Sequence, residues 1–142
     1  MKKPKTSLIN LRIDRTWTLF LDRDGVINEK IDNDYVKTWQ QFQFLPNALE
    51  AIKQLSKHFG KIIIITNQRG VGRKLMTEDD LKQIHSLMLE KIKNAGGRID
   101  KIYYCPHLEE VNCNCRKPKT GMALQAKIDF PVIDFEKSVI VG

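Results

Sequence analysis

The sequence predicts an α/β fold in which a mostly parallel sheet is sandwiched between helices in three layers. Three observations predict it. Continuously apolar runs rich in β-branched residues alternate with helical patterns along the chain, and such runs belong to strands buried on both faces. The stretches between them carry apolar residues three and four apart, a stripe that faces a core. The conspicuous polar residues fall at the carboxyl ends of the runs, where open α/β sheets bind ligands. With 142 residues, 42% hydrophobic and 29% charged, the chain is sized and composed for one folded domain.

Each element has its own justification. Residues 1–16 lie outside the pattern, as a mobile arm or an extra edge strand, and the core is expected over 17–142. Residues 17–21, Trp-Thr-Leu-Phe-Leu, form a short apolar run ending at Asp22, which reads as a buried strand. Pro46-Asn47 then opens a helix with apolar positions Leu49, Ile52 and Leu55, stopped near Gly60. Residues 61–65, Lys followed by four isoleucines, form a second strand ending at Thr66-Asn67. Thr77 caps a longer helix with Asp80 at the capping-box position, an inner stripe of Leu81, Ile84, Met88 and Ile92, and a stop at Gly96-Gly97. Residues 101–104 read as a third strand, 122–127 as a short helix and Ser138–Val141 as a fourth strand. Internal repeats and low-complexity segments are absent.

Composition excludes several classes. No apolar run approaches the roughly 20 residues that span a bilayer, and the basic N-terminus lacks an apolar segment behind it. A cytoplasmic monomer without membrane contact is the expectation. The net charge of +7 suits a polyanion or a small phosphorylated substrate, and suits equally a solvated basic surface. Three cysteines, clustered around one histidine, favour metal over disulfides.

Asp22-Arg23-Asp24-Gly25 sets two carboxylates where a strand opens into a loop. One can attack phosphorus while the other moves protons, and two such anions call for a hard cation such as Mg²⁺. Alone, the tetrapeptide fits an Asp-Gly turn equally well. Thr66, Asn67 and Gln68 bring a hydroxyl and two amides to the next strand end, able to donate to a phosphoryl group or to bond their own backbone. Arg116 and Lys117 add a planar fork and a point charge before a helix; in isolation they read as a solvated basic loop.

Together, the segments 21–26, 65–68 and 115–118 resemble the first three motifs of the haloacid dehalogenase superfamily of phosphatases. The resemblance covers residues 17–142. It implies a Rossmann-like three-layer sandwich, Asp22 as nucleophile and Asp24 as general acid and then base. It further implies that Thr66 and Lys117 hold the phosphoryl group, while Asp22 and the Asp24 carbonyl ligate Mg²⁺. Only 41 residues separate Asp24 from Thr66 and 50 separate Thr66 from Lys117, so the site is expected to be essentially capless.

Cys105-Pro106-His107, five residues, then Cys113-Asn114-Cys115 supply three thiolates and an imidazole, a ligand set for structural zinc. The alternative is three reduced cysteines and a surface histidine. This zinc-binding loop narrows the resemblance to the branch of heptose bisphosphate and histidinol-phosphate phosphatases. Tyr35-Val36, the Tyr-Tyr-Cys-Pro-His run and Gly121-Met122 lean to the heptose side, and the short gap before Cys113 to the histidinol side. On the heptose reading Asn67, Gln68, Arg69 and Arg116 contact the substrate beyond the reacting phosphate. The superfamily's fourth motif is expected past Val141-Gly142, where the chain is read as lacking its C-terminal part. A nucleic-acid 3′-phosphatase, against which the zinc loop weighs, and a non-catalytic phosphate-binding remnant stand as alternatives.

Overall fold

A computed structural model describes residues 12–142. The first eleven residues of the expected arm lie outside the described residues, and 12–16 form neither strand nor helix. Four strands, β1 (Thr18–Leu21), β2 (Lys61–Asn67), β3 (Lys101–Cys105) and β4 (Ser138–Val141), form one sheet in the order β3-β2-β1-β4. Every pairing is parallel. The chain moves outward from β1 to β2 and β3, then returns to lay β4 on the other side of β1. That reversal makes the carboxyl end of β1 the topological switch point, the place where such sheets leave a crevice.

Alternation of side chains along the central strands builds the three layers. Leu19 and Leu21 of β1 and Ile62 and Ile64 of β2 face one core, shared with Ile52 of α1 (Ala48–Ser56) and with Leu81, Ile84, Met88 and Ile92 of a 17-residue helix (Glu78–Asn94). Phe20, Ile63 and Ile65 face the other way, onto Met122 and Ala126 of the last helix (Gly121–Asp129) and onto Ile133. A single helical turn (Arg69–Gly72) follows β2. These are α3, α4 and α2 respectively. Four successive isoleucines, all nearly or fully buried, therefore serve both cores. Each contributes about 1.5–3 kcal/mol through burial.

The expected elements are all present, β4 at its expected bounds and others with shifted ends. Pairing of Thr66 with Tyr104 and Asn67 with Cys105 carries β2 and β3 beyond the expected stops, and α4 extends beyond 122–127 at both ends. Trp17 packs against the core without joining the ladder. The capping box forms as expected: Thr77 Oγ1 accepts from the Asp80 amide at 3.0 Å, and the Thr77 amide donates to Asp80 Oδ2 at 2.9 Å. Among the described residues no separate cap stands between β1 and β2 or between β2 and the Lys117 loop. Among the described residues no helix is long and apolar enough to cross a membrane.

Candidate active site

Asp22 leaves β1 with its amide donating to the Val141 carbonyl of β4 at 2.9 Å, so its direction is set by the sheet. Its Oδ1 accepts from the Arg23 amide at 2.7 Å, and its Oδ2 lies 2.9 Å from Lys117 Nζ. Both side chains remain partly exposed. A lysine 95 positions along the chain thus meets the carboxylate that precedes the loop. Asn67 holds that lysine in place: its Oδ1 accepts from the Lys117 amide at 2.9 Å and its Nδ2 donates to the Lys117 carbonyl at 3.3 Å.

Asp24 is as exposed as Asp22 but has both its carboxylate oxygens engaged. Oδ1 accepts from Arg23 Nη2 at 2.7 Å and Asn28 Nδ2 at 2.9 Å, and Oδ2 accepts from Gln68 Nε2 at 3.0 Å. Burial alone would raise this carboxyl, but the Arg23 charge and the bonds from Asn28, Arg23 and Gln68 outweigh it and hold the group below its ordinary value. Arg23 is wholly buried. Its Nη1 lies 3.1 Å from Nε2 of His85, on α3. Burial, then the Arg23 charge, drives His85 down to about 3, so this imidazole is neutral at physiological pH.

Thr66 is fully buried at the end of β2, and Gln68 Nε2 donates to its Oγ1 at 2.9 Å. Gln68, expected to touch substrate, is turned inward instead. It is 2% exposed, and its one amide group ties Thr66 to Asp24. Its two bonds, to Asp24 Oδ2 and Thr66 Oγ1, hold it there. Asn67 does border the open site, although both its amide atoms are used on Lys117.

Beside these residues lies a cavity of about 210 Å³, lined by Asp22, Asp24, Asn67, Arg69 and Arg116 together with the segment carrying Lys30, Asp34 and Tyr35. Arg69 Nε donates to the Tyr35 hydroxyl at 3.0 Å. Its Nη1 and Arg116 Nη2 both reach Glu109 Oε1, at 3.4 and 3.2 Å. The two guanidinium groups therefore face one cavity and share one exposed carboxylate. Arg23, His85 and Glu109 were not legible as site residues; only Arg23's place between two acids offered a signal.

The expected metal ligands come together. Ligand atoms of Cys105, His107, Cys113 and Cys115 all lie within 4.8 Å of one another, with neighbouring separations of 3.3–3.6 Å. Zinc with Zn–S of about 2.3 Å and Zn–N of about 2.0 Å has ligand edges of roughly 3.5–3.8 Å, so the donor set fits that ion. Burial, then its bonds to Cys105 and Cys113, pushes the Cys115 thiol up to about 12; metal binding there must expel protons. Lys119 Nζ, in the segment that leads into α4, closes the loop by donating to the Cys113 carbonyl and to Asn112 Oδ1, both at 2.8 Å. The Gly121 amide donates to the Asn114 carbonyl, which a Cβ at that position would strike.

Known proteins resemble this chain in sequence and in fold. The family model described as polynucleotide kinase 3 phosphatase matches residues 18–142. The D-glycero-alpha-D-manno-heptose-1,7-bisphosphate 7-phosphatase of Mycobacterium bovis is 40% identical over 131 residues, covering 92% of this chain and 69% of that protein. A probable D-glycero-D-manno-heptose-1,7-bisphosphate 7-phosphatase of Thermoplasma volcanium is 41% identical over 125 residues, covering 88% and 84%. Among solved structures, the D,D-heptose 1,7-bisphosphate phosphatase of B. bronchiseptica, complexed with magnesium and phosphate, superposes with a TM-score of 0.76 at 34% identity. That match covers 81% of this chain and 64% of the other.

Proposed function

Since the chain belongs to the polynucleotide kinase 3 phosphatase family, we propose that it is a magnesium-dependent phosphomonoesterase that works through a phospho-aspartate, with D-glycero-D-manno-heptose 1,7-bisphosphate as substrate. The observation that carries this reading is the 2.9 Å pair that Lys117 makes with Asp22, which lines the same cavity as Asp24. On this reading Asp22 is the nucleophile, Lys117 the phosphate-neutralising cation and Asp24 the proton-handling acid. The substrate follows from relatives named for it at 40% and 41% identity.

On this reading a carboxylate oxygen of Asp22 attacks phosphorus, and the bond from phosphorus to the sugar oxygen breaks. Asp24 gives its proton to that oxygen. Asp24 then takes a proton from the water that attacks the aspartyl phosphate, which frees inorganic phosphate and restores the Asp22 carboxylate. The bonds that hold Asp24 ionised favour its role as base, and the arriving phosphate dianion favours the proton it needs as acid. Lys117 holds the phosphoryl oxygens and Arg69 and Arg116 attract the second phosphate, while Thr66, fully buried beneath Gln68, reaches the phosphoryl group only if Gln68 shifts.

Magnesium would rest on Asp22 and the Asp24 carbonyl. Asp22 supplies partly exposed hard oxygens, and that carbonyl accepts no hydrogen bond among the described residues. When bound, the ion supplies positive charge that offsets repulsion between carboxylate and phosphate. Zinc would rest on Cys105, His107, Cys113 and Cys115 as a structural ion, because four protein ligands leave no open position. The reading includes a cytoplasmic monomer, a compartment that suits three free thiols.

The family's description and the +7 charge favour one second reading, a phosphatase of polynucleotide 3′ ends. Phosphate release from heptose bisphosphate, histidinol phosphate and a 3′-phosphorylated oligonucleotide, compared by kcat/KM, separates the readings. Heptose bisphosphate is expected to lead. Preference for either alternative would overturn the proposed substrate.

A further inference from the structure

We propose that His85, on α3 and outside the cavity, is a positioning residue for the reaction. Acting through the buried Arg23 guanidinium, it fixes the carboxylate of Asp24. The inference rests on the proton-transfer role read for Asp24.

Arg23 cannot accept a hydrogen bond, so Nε2 of His85 must be the acceptor at 3.1 Å and the ring proton must sit on Nδ1. A protonated ring would set a second cation against Arg23, and its burial disfavours that charge. The guanidinium is planar and rigid. Fixing Nη1 on His85 therefore aims Nη2 at Asp24 Oδ1, 2.7 Å away. The Phe42 ring lies 5.8 Å from the guanidinium carbon and limits its tilt. Arg23 Nε has no partner among the described residues, so the group depends on its two terminal nitrogens for anchoring. Removing the His85 acceptor leaves a buried cation with a single anchor, free to turn. Asp24, left with its bonds from Asn28 and Gln68, would then meet the leaving oxygen at a shifted angle, although no cavity-lining residue had been substituted.

The test exploits leaving groups. Proton donation matters for the sugar alkoxide of heptose bisphosphate and little for p-nitrophenolate, which is stable as an anion. The holoprotein carrying His85→Phe, which keeps a ring against Tyr104, is compared with His85→Gln, which restores an acceptor oxygen, and with Asp24→Asn. The expected result is a kcat loss for His85→Phe that is roughly tenfold or more larger on heptose bisphosphate than on p-nitrophenyl phosphate. His85→Gln should recover most of it. Equal losses on both esters, or no recovery with Gln, would overturn the proposal and leave His85 a packing residue. If Asp24→Asn itself fails to discriminate the esters, the role read for Asp24 falls, and this inference with it. Should His85→Phe not fold, ¹⁵N shifts of the wild-type imidazole decide: the Nδ1–H tautomer supports the proposal, and the Nε2–H tautomer refutes it.

Discussion

Single side chains at this site derive their chemistry from what surrounds them. Asp22 and Asp24 are two residues apart, yet one is paired with a lysine at a cavity wall and the other is held by three buried donors. Asp22→Asn keeps the shape and removes the nucleophile, so turnover should fall by roughly a thousandfold or more; a variant within tenfold of wild type in phosphate release would dismiss the aspartyl phosphate. His85 carries a second prediction. Its folded value near 3 lies below its ordinary 6.5, so between those limits the unfolded chain binds the extra proton and stability falls as pH falls. Above 6.5 the contribution is complete. Acidification from pH 7 to 4.5 should cost wild type on the order of 2 kcal/mol that His85→Phe does not lose. Urea melts at both values measure it, and parallel losses in the two proteins would contradict the buried neutral imidazole.

Among the elements, α3 is the best specified locally, with three acidic residues in its first turn, two lysines in its last and a closed capping box. Thr77→Ala should cost about 1 kcal/mol and lower Tm by about 2–5 °C without changing KM. An unchanged melting curve would mean that packing alone holds the helix end. The cysteine loop joins β3 to α4 and ends one residue before Arg116, so its closure bears on both Arg116 and Lys117. Protein stripped of metal and resupplied with magnesium alone should show lower kcat and lower Tm, both restored by one equivalent of zinc. Full activity after stripping, with all three thiols titrating, would deny the loop this role.

The whole molecule carries more cations than acids, whereas the cavity lining holds three of each, with Asp22, Asp24 and Asp34 as the acids. Lys30, Arg69 and Arg116 line the cavity, and the chain as a whole carries +7. For an anionic substrate this field raises encounter rates, and salt screens it. Accordingly kcat/KM for a bisphosphate should fall severalfold from low to physiological ionic strength, and more steeply than for a monophosphate. Salt-independent kcat/KM would locate the useful charge at Lys117 alone.

Local order was written in the chain. The apolar runs, the helix spacings, the Thr77 cap and the cysteine cluster are all set by neighbours within a few residues, so they could be read without a fold. Three motifs likewise marked Asp22, Thr66 and Lys117 as candidates, because each chemical group sits at the end of a legible strand or before a legible helix. Only the tertiary structure decided which of these meet. The strand order β3-β2-β1-β4 brings Lys117 to Asp22, Asn67 to the Lys117 backbone, and His85 to Arg23 across 62 positions. It also turned Gln68 inward and gave Glu109 to both arginines. Periodicity records that a side chain is buried, but not against what: a contact between distant segments leaves no spacing in the sequence, and its energy exists only once the sheet has assembled.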